Sequence, residues 1–303
     1  MTKKILRVEY GKFLVEMGKR YSNLVVLDGD LKESTQTIQF QQHFPERFID
    51  CGVAEQNMFG VAAGLALGGK LPIVHTFACF ASLRACEQIR TSICYPKLNV
   101  KIVVSHGGIS AGSAGPTHHA IEDIAIMRAI PNMTVLVPGD SKEMRQVVEK
   151  ALAYKGPVYI RLVAGDFEDV YTDEHQFSIG KATILRDGNE VTIITTGTMM
   201  QQAVLAADVL KRDYGIAVRV IQMASIKPID EDLIYKEARK TKKIMVIEEH
   251  NIIGGIGSAV CEIVTKIPFV TEIKRIGIND QFNDSSFAYQ NVIERVKEIL
   301  FSQ

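Results

Sequence analysis

Short apolar runs alternate with amphipathic stretches along most of this chain. Runs with the character of buried strands lie at 23–28 (NLVVLD), 70–75 (KLPIVH), 98–105 (LNVKIVVS), 133–138 (MTVLVP) and 157–162 (PVYIRL). Between them, the spacing of apolar residues predicts helices over 8–21, 56–68, 80–94, 120–128 and 141–155. A strand that is apolar at nearly every position has both faces covered, so the pattern predicts a parallel sheet packed between helices. The alternation then breaks. Residues 166–178 turn polar and acidic, and an interdomain linker is expected at 169–178. A second series follows, with strands at 190–195, 217–222, 243–247 and 270–276 and helices at 200–214, 230–241, 255–265 and 289–300. The expected architecture is α/β with two doubly wound domains. A parallel-sheet domain spans 1–168, and a smaller mixed-sheet domain spans 179–303.

Composition narrows the function more than the fold. The 303 residues include 35 basic and 35 acidic side chains, which cancel to a formal net charge of +0. Bulk electrostatics therefore gives no case for binding nucleic acid or an acidic membrane surface. The first ten residues are basic but no apolar run follows them, so no secretory signal is expected. The apolar stretch 58–69 is too short and too glycine-broken to span a bilayer. The cytoplasm is the expected compartment. Five cysteines (Cys51, Cys79, Cys86, Cys94 and Cys261) include no Cys-x-x-Cys pair. That argues against a disulfide framework or a zinc site and for buried, inert thiols.

The chemistry concentrates around one acid. In 52–58 (GVAEQNM), Glu55 stands at the mouth of the helix that continues through the small and apolar residues 59–67. A helix-start acid is favoured by the macrodipole alone. About twenty residues later, 75–80 (HTFACF) places Phe77 and Phe80 three apart. An acid with an aromatic shelf can hold and activate a flat, nitrogen-containing ring. Asp30, Glu55, Phe77 and His106 all fall just after strand-like runs, and ligands of parallel α/β sheets gather at the carboxyl ends of strands.

These segments carry a resemblance. The strings 28–35 (DGDLKEST), 52–58, Phe77 with Phe80, 105–107 (SHG) and 115–119 (GPTHH) stand in the order and spacing found in transketolases. So do 226–229 (IKPI), 248–250 (EEH) and 254–257 (GGIG). The chain resembles the C-terminal half of a transketolase, a pyrimidine-binding domain followed by the C-terminal domain, and the match covers nearly its whole length. The resemblance implies thiamine diphosphate as cofactor. Glu55 would share a proton with ring nitrogen N1′ of the aminopyrimidine, and Phe77 and Phe80 would pack on that ring. His106 and His118 match the family's active-site histidines, with His119 as the alternative to His118. Asp30 would lie at a subunit boundary near the thiazolium. Arg7, Ser34 and His106 match substrate-binding positions, and an arginine fork suits a sugar phosphate.

Two positions depart from the family. Ala114 stands where an acid usually reads a substrate hydroxyl, and Ala164 where an arginine usually binds phosphate. An altered ketose or acceptor is the expected consequence. The diphosphate and its Mg²⁺ need hard oxygen ligands on a Gly-Asp-Gly segment with a downstream Asn. The nearest string, 28–30 (DGD), lacks that context, and no metal ligand is assigned to this chain. The glycine cluster 254–257 reads as close helix packing, not as a phosphate loop. The chain should therefore hold the pyrimidine end only. An N-terminal transketolase subunit would bring the diphosphate and Mg²⁺, in a heterotetramer with two copies of each chain.

The resulting expectation is transfer of a two-carbon ketol unit from a ketose (phosphate) to an aldose (phosphate). Alternatives with the same layout are the β subunit of a 2-oxoacid dehydrogenase and a 1-deoxyxylulose-5-phosphate synthase-like enzyme. A non-catalytic binding homologue is the alternative of another class.

Overall fold

The computed structural model describes residues 4–241, 243–266, 268, 271–282 and 291–301. The chain divides into two compact units, Met1–Phe177 and Ser178–Gln303. In the first unit, six strands form one parallel sheet. They are β1 (Leu24–Asp28), β2 (Phe48–Asp50), β3 (Leu71–Phe77), β4 (Lys101–Ser105), β5 (Thr134–Leu136) and β6 (Val158–Arg161). Their order is β5-β6-β4-β3-β1-β2, with every neighbouring pair parallel. All residues of β1, β3, β4, β5 and β6 are buried, which is why these strands read as continuous apolar runs. The chain leaves β1 toward the β2 edge and leaves β3 toward β4. The topological switch point therefore lies between β1 and β3, where Asp28 pairs with His75.

Helix α1 (Leu6–Arg20) packs against α4 (Ser141–Ala153), with Arg145 bridging to Glu16 at 2.6 Å and stacking on Phe13. Helices α2 (Glu55–Leu67) and α3 (Asp123–Ala129) complete the longer helical elements of this unit that the apolar spacing predicts. Segment 80–94 is not the single regular helix expected. It opens with a π-helical turn (Phe80–Arg84), passes through one α turn (Cys86–Gln88) and ends in a second π turn (Ile89–Cys94). Other elements escaped the pattern because they are short. Strand β2 has only three residues and lies half-buried at a sheet edge, and Lys4–Ile5 pairs antiparallel with Asp166–Phe167. Helical turns at Lys32–Thr35 and Ile38–His43 were likewise not anticipated.

Within the stretch read as a linker (169–178), residues 169–177 are tied to the start of α4. The Asp140 carboxylate caps that helix by accepting from the Glu143 amide at 2.8 Å. Its second oxygen accepts from the Val170 and Tyr171 amides, both at 2.9 Å. Gln146 adds bonds to the His175 carbonyl and the Phe177 amide.

His75, on β3, is wholly buried. The Leu27 carbonyl can only accept, so His75 Nδ1–H donates to it at 3.3 Å and Nε2 accepts the Tyr10 hydroxyl at 2.6 Å. Burial pushes the imidazole pKa down to about 3. In the unfolded chain the ring titrates near its ordinary value, so between that value and 3 the unfolded state binds more protons. Stability is therefore full above the unfolded pKa and is lost as pH falls. About 2–3 kcal/mol should disappear between pH 7 and 4.5 through this residue. Urea midpoints at the two pH values test it: His75→Gln should show a shallower acid slope than the native chain, and equal slopes would refute the assignment.

In the second unit, β7 (Thr183–Arg186), β8 (Val191–Thr195), β9 (Val218–Gln222), β10 (Lys243–Asn251) and β11 (Glu272–Ile278) form a sheet in the order β11-β10-β8-β9-β7. Only β7, against β9, is antiparallel in this sheet, so it is mixed as expected. Helices α5 (Met199–Tyr214), α6 (Glu231–Lys240), α7 (Ile256–Val264) and α8 (Val292–Phe301) accompany it. The expected strand start at 270 and helix start at 289 lie outside the described residues. Among the described residues, no helix is long and apolar enough to cross a membrane.

Candidate active site

The site forms at the carboxyl ends of β1, β3 and β4. After β2 the chain turns at Gly52, whose φ of +71° is left-handed backbone that glycine adopts without strain. The Asp50 carboxylate accepts from the Gly52 amide at 3.1 Å and from the Asp30 amide at 3.2 Å, which ties the turns after β1 and β2 together. Glu55 follows as the first residue of α2 and is only 1% exposed. A carboxylate that deep needs donors. Thr76 Oγ1, at the end of β3, donates to Glu55 Oε1 at 3.4 Å, and Arg84 Nη1 donates to Oε2 at 3.2 Å.

The next residues of that strand supply the aromatic shelf. Phe77 ends β3 and Phe80 opens the first π turn. Their rings lie nearly parallel, 12° apart in plane with centroids 5.8 Å apart. The His106 ring sits 4.0 Å from Phe77. His106 follows β4 with φ +58°, a left-handed conformation uncommon for a residue with a side chain and concentrated at functional sites. Its Nδ1 pairs with Ser105 Oγ at 2.9 Å. Burial first, then the charges of Arg7 and His118, hold its pKa down at about 4. The ring is neutral near pH 7.

The structure separates the two adjacent histidines. His118 sets its ring edgewise against Phe80 at 5.4 Å and Phe77 at 6.2 Å. His119 turns away, with Nε2 paired to the Gly112 carbonyl at 3.1 Å. His118 is thus the one beside the shelf.

Arg7, on α1, donates from Nη1 to the Ser34 carbonyl at 2.9 Å, so Ser34 meets it through its backbone and not its hydroxyl. Arg7 Nε is buried and makes no hydrogen bond among the described residues. Asp30 stands exposed at the turn after β1 with φ +63°. Its neighbour Asp28 is consumed internally, accepting from the Leu31 amide at 2.6 Å and from the Thr35 and Thr37 hydroxyls at 2.8 Å each.

Sequence reasoning missed what lies behind the histidine loop. Arg161 Nε donates to Asp123 Oδ2 at 2.8 Å, where the Tyr159 hydroxyl also arrives at 2.8 Å, and both charges are buried. A Cβ on Gly107 would lie 2.7 Å from Arg161 Nε, so the loop after His106 can rest on this pair only as glycine. Arg161 therefore points into the protein and does not replace the arginine missing at Ala164. Ala164 sits beside the same loop, its amide donating to Ser110 Oγ at 3.1 Å, while Ala114 is exposed in a 3₁₀ turn. Arg84 and Thr76 were also missed. The only sequence signal for Arg84 was its position four residues after Phe80.

In the second unit, the glycine cluster 254–257 is filled by the protein itself. Glu248 accepts from the Ile256 amide at 2.8 Å and the Gly257 amide at 3.0 Å, at the start of α7. A Cβ on Gly255 would collide with Glu248 Oε2, which makes the glycine a packing requirement.

Residues 5–167 match the family model described as transketolase, pyrimidine binding domain, and residues 180–294 match transketolase, C-terminal domain. The chain is 50% identical to a putative transketolase C-terminal section of Methanocaldococcus jannaschii, covering 93% of this chain and 89% of that one. It is 42% identical to the 6-deoxy-6-sulfo-D-fructose transketolase subunit SqwH of a Clostridium species, over 92% of this chain and 86% of that one. Among solved structures, it superposes with a TM-score of 0.86 on one described as a split gene transketolase, inactive beta4 tetramer. That match has 46% identity and covers 96% of this chain and 93% of that one.

Proposed function

The chain belongs to the transketolase family, and from that premise we propose that it is the cofactor-activating half of a two-chain enzyme. The enzyme would move a two-carbon ketol unit from a ketose to an aldose. The observation that carries this reading is the 1%-exposed Glu55 carboxylate, opening beside two nearly parallel phenyl rings. That combination fits the pyrimidine end of thiamine diphosphate: an acid able to share a proton with a ring nitrogen, and apolar faces to stack on it. When bound, the cofactor supplies the electron sink that lets the bond beside a ketose carbonyl break.

The chain's own residues then divide the remaining work. Glu55 holds the proton shared with N1′, and Thr76 fixes the orientation of its carboxylate. Phe77 and Phe80 exclude water from the ring faces. His106, neutral near pH 7 and fixed through Nδ1 by Ser105, offers Nε2 to a substrate hydroxyl. His118 borders the same space, and Asp30 stands at its exposed rim. Arg7 Nε is the donor we assign to the anionic end of the sugar. The loss of a second arginine at Ala164 favours an altered anion, a reading in keeping with a relative named for a sulfonated ketose.

The diphosphate and Mg²⁺ fall to a partner subunit in this reading. Two features support it. Asp28 and Glu248 spend their carboxylates inside the protein, and the helix bearing Glu55 presents an open face. Gly60 and Gly64 lie one turn apart on α2, and a Cβ on either would meet nothing within 4 Å. Large apolar side chains stand exposed in the same unit, Val53 at 71%, Leu67 at 74%, Leu83 at 57% and Tyr95 at 83%. Where such groups gather on one face they mark a surface for a partner.

The test is transfer by this chain alone, with its partner, and with a Gly60→Leu/Gly64→Leu variant, using sulfonated, phosphorylated and neutral ketoses. Removing helical glycines should leave the stability of the chain equal or higher, by roughly 0.5–1 kcal/mol per site, and its melting temperature no lower. Overfilling a close helix contact costs about 1–3 kcal/mol per site, so subunit affinity should fall thirtyfold or more. Transfer by the chain alone, or normal assembly of the variant, would defeat the reading.

A further inference from the structure

Arg84 has no role in the account above, yet it makes the most specific contact to Glu55. Its position comes from the irregular helix. In the turn Phe80–Arg84 the Ala85 amide donates to the Phe80 carbonyl at 3.2 Å, the five-residue step of a π turn. An α-helix with about 3.6 residues per turn would present position 84 in a different direction, and π turns concentrate at functional sites. Here the widened turn lays the Arg84 guanidinium over the Phe80 ring, 4.6 Å from its centroid, while Nη1 reaches Glu55 Oε2 at 3.2 Å. The two ends of this ion pair differ sharply. The Glu55 side chain is 1% exposed and that of Arg84 is 49% exposed.

A flat, nitrogen-bearing group that lies over Phe80 and hydrogen-bonds Glu55 occupies the two contacts an aminopyrimidine would use. We propose that Arg84 is a built-in competitor for the pyrimidine subsite: it holds Glu55 and the Phe80 face in the cofactor-free chain and yields both when the cofactor enters. The proposal rests on the assignment of Glu55 and Phe80 to the cofactor. The energetics favour such an exchange. A buried carboxylate is costly without a partner, so the free chain needs a counter-charge there. Arg84 can give up that role cheaply, because half of it already lies in water and its stacking and ion pairing are those of a surface group. While the pair is closed the subsite is blocked, and the apparent affinity falls by the fraction that is open.

The experiment is an equilibrium titration of the complex of this chain with its partner subunit, using thiamine diphosphate at fixed Mg²⁺ and calorimetry as readout. Arg84→Met should bind roughly three- to tenfold more tightly than the native complex. Arg84→Lys, which keeps the charge but loses the planar fork, should fall between them. In a Glu55→Gln background, Arg84→Met should change affinity less than twofold, because the charged partner is gone. Melting temperatures establish that each variant is folded. Unchanged or weaker binding by Arg84→Met overturns the proposal, as does the same change in both backgrounds, which would mean that Arg84 acts through the fold. No uptake by the native complex overturns the cofactor reading together with the proposal.

Discussion

Glu55→Gln should lower two-carbon transfer by the assembled enzyme by a hundredfold or more, with the loss in kcat at saturating cofactor. Glutamine preserves the size of the side chain and can still meet Thr76, so the fold should be undisturbed. What it cannot do is exchange a proton with a ring nitrogen. Positioned proton transfer contributes about 10²–10⁴ in rate, and this is the step removed. The site makes the loss hard to rescue. Glu55 is buried, and the nearest donors are Thr76 and Arg84, neither of which is an acid at neutral pH. Single-turnover assays at saturating thiamine diphosphate separate this loss from weakened cofactor binding. Turnover within threefold of the native enzyme would remove Glu55 from the chemistry.

Arg161→Met should destabilise the first unit by about 3–5 kcal/mol, the usual cost of leaving one charge of a buried pair alone. Asp123 is fully buried and, among the described residues, keeps only the Tyr159 hydroxyl once the guanidinium is gone. A second variant isolates the cause. Asp123→Leu together with Arg161→Met removes both charges and should recover much of the loss, because an apolar pair of similar volume often matches a buried ion pair. Denaturant midpoints of the three proteins decide it. A loss below about 1 kcal/mol in Arg161→Met would mean that Asp123 finds another partner. The pair also bears on the site, because Gly107 rests on Arg161 directly after His106. Even a stable variant should therefore place His106 less well.

The parts of the site that could be read in the sequence share one property: each is fixed by local backbone geometry. Glu55 stands at the start of a helix and Phe77 at the end of an apolar strand. His106 follows the next strand, so the strand-and-helix pattern alone places all three near one sheet edge. His118 and His119 were indistinguishable, because neighbouring loop residues differ only in where the loop turns them. The contact with Phe77 and Phe80 on one side, and with the Gly112 carbonyl on the other, separates them. Arg161 illustrates the opposite case. Its place on a strand leaves its direction open, and burial against Asp123 turns it inward.

What the sequence determined by itself is the sheet order's raw material and the family. Fully buried parallel strands must be apolar throughout, and the motif residues keep fixed spacing because short turns leave no slack. What the tertiary structure decided is how polar groups far apart in the chain are paired. The structure gives Arg84 to Glu55, Arg161 to Asp123 and Glu248 to the start of α7, and leaves Arg7 Nε without a hydrogen-bond partner among the described residues. A buried charge must find a partner somewhere, but which one depends on distances of a few ångströms set by packing, and those distances leave no periodic mark in the sequence.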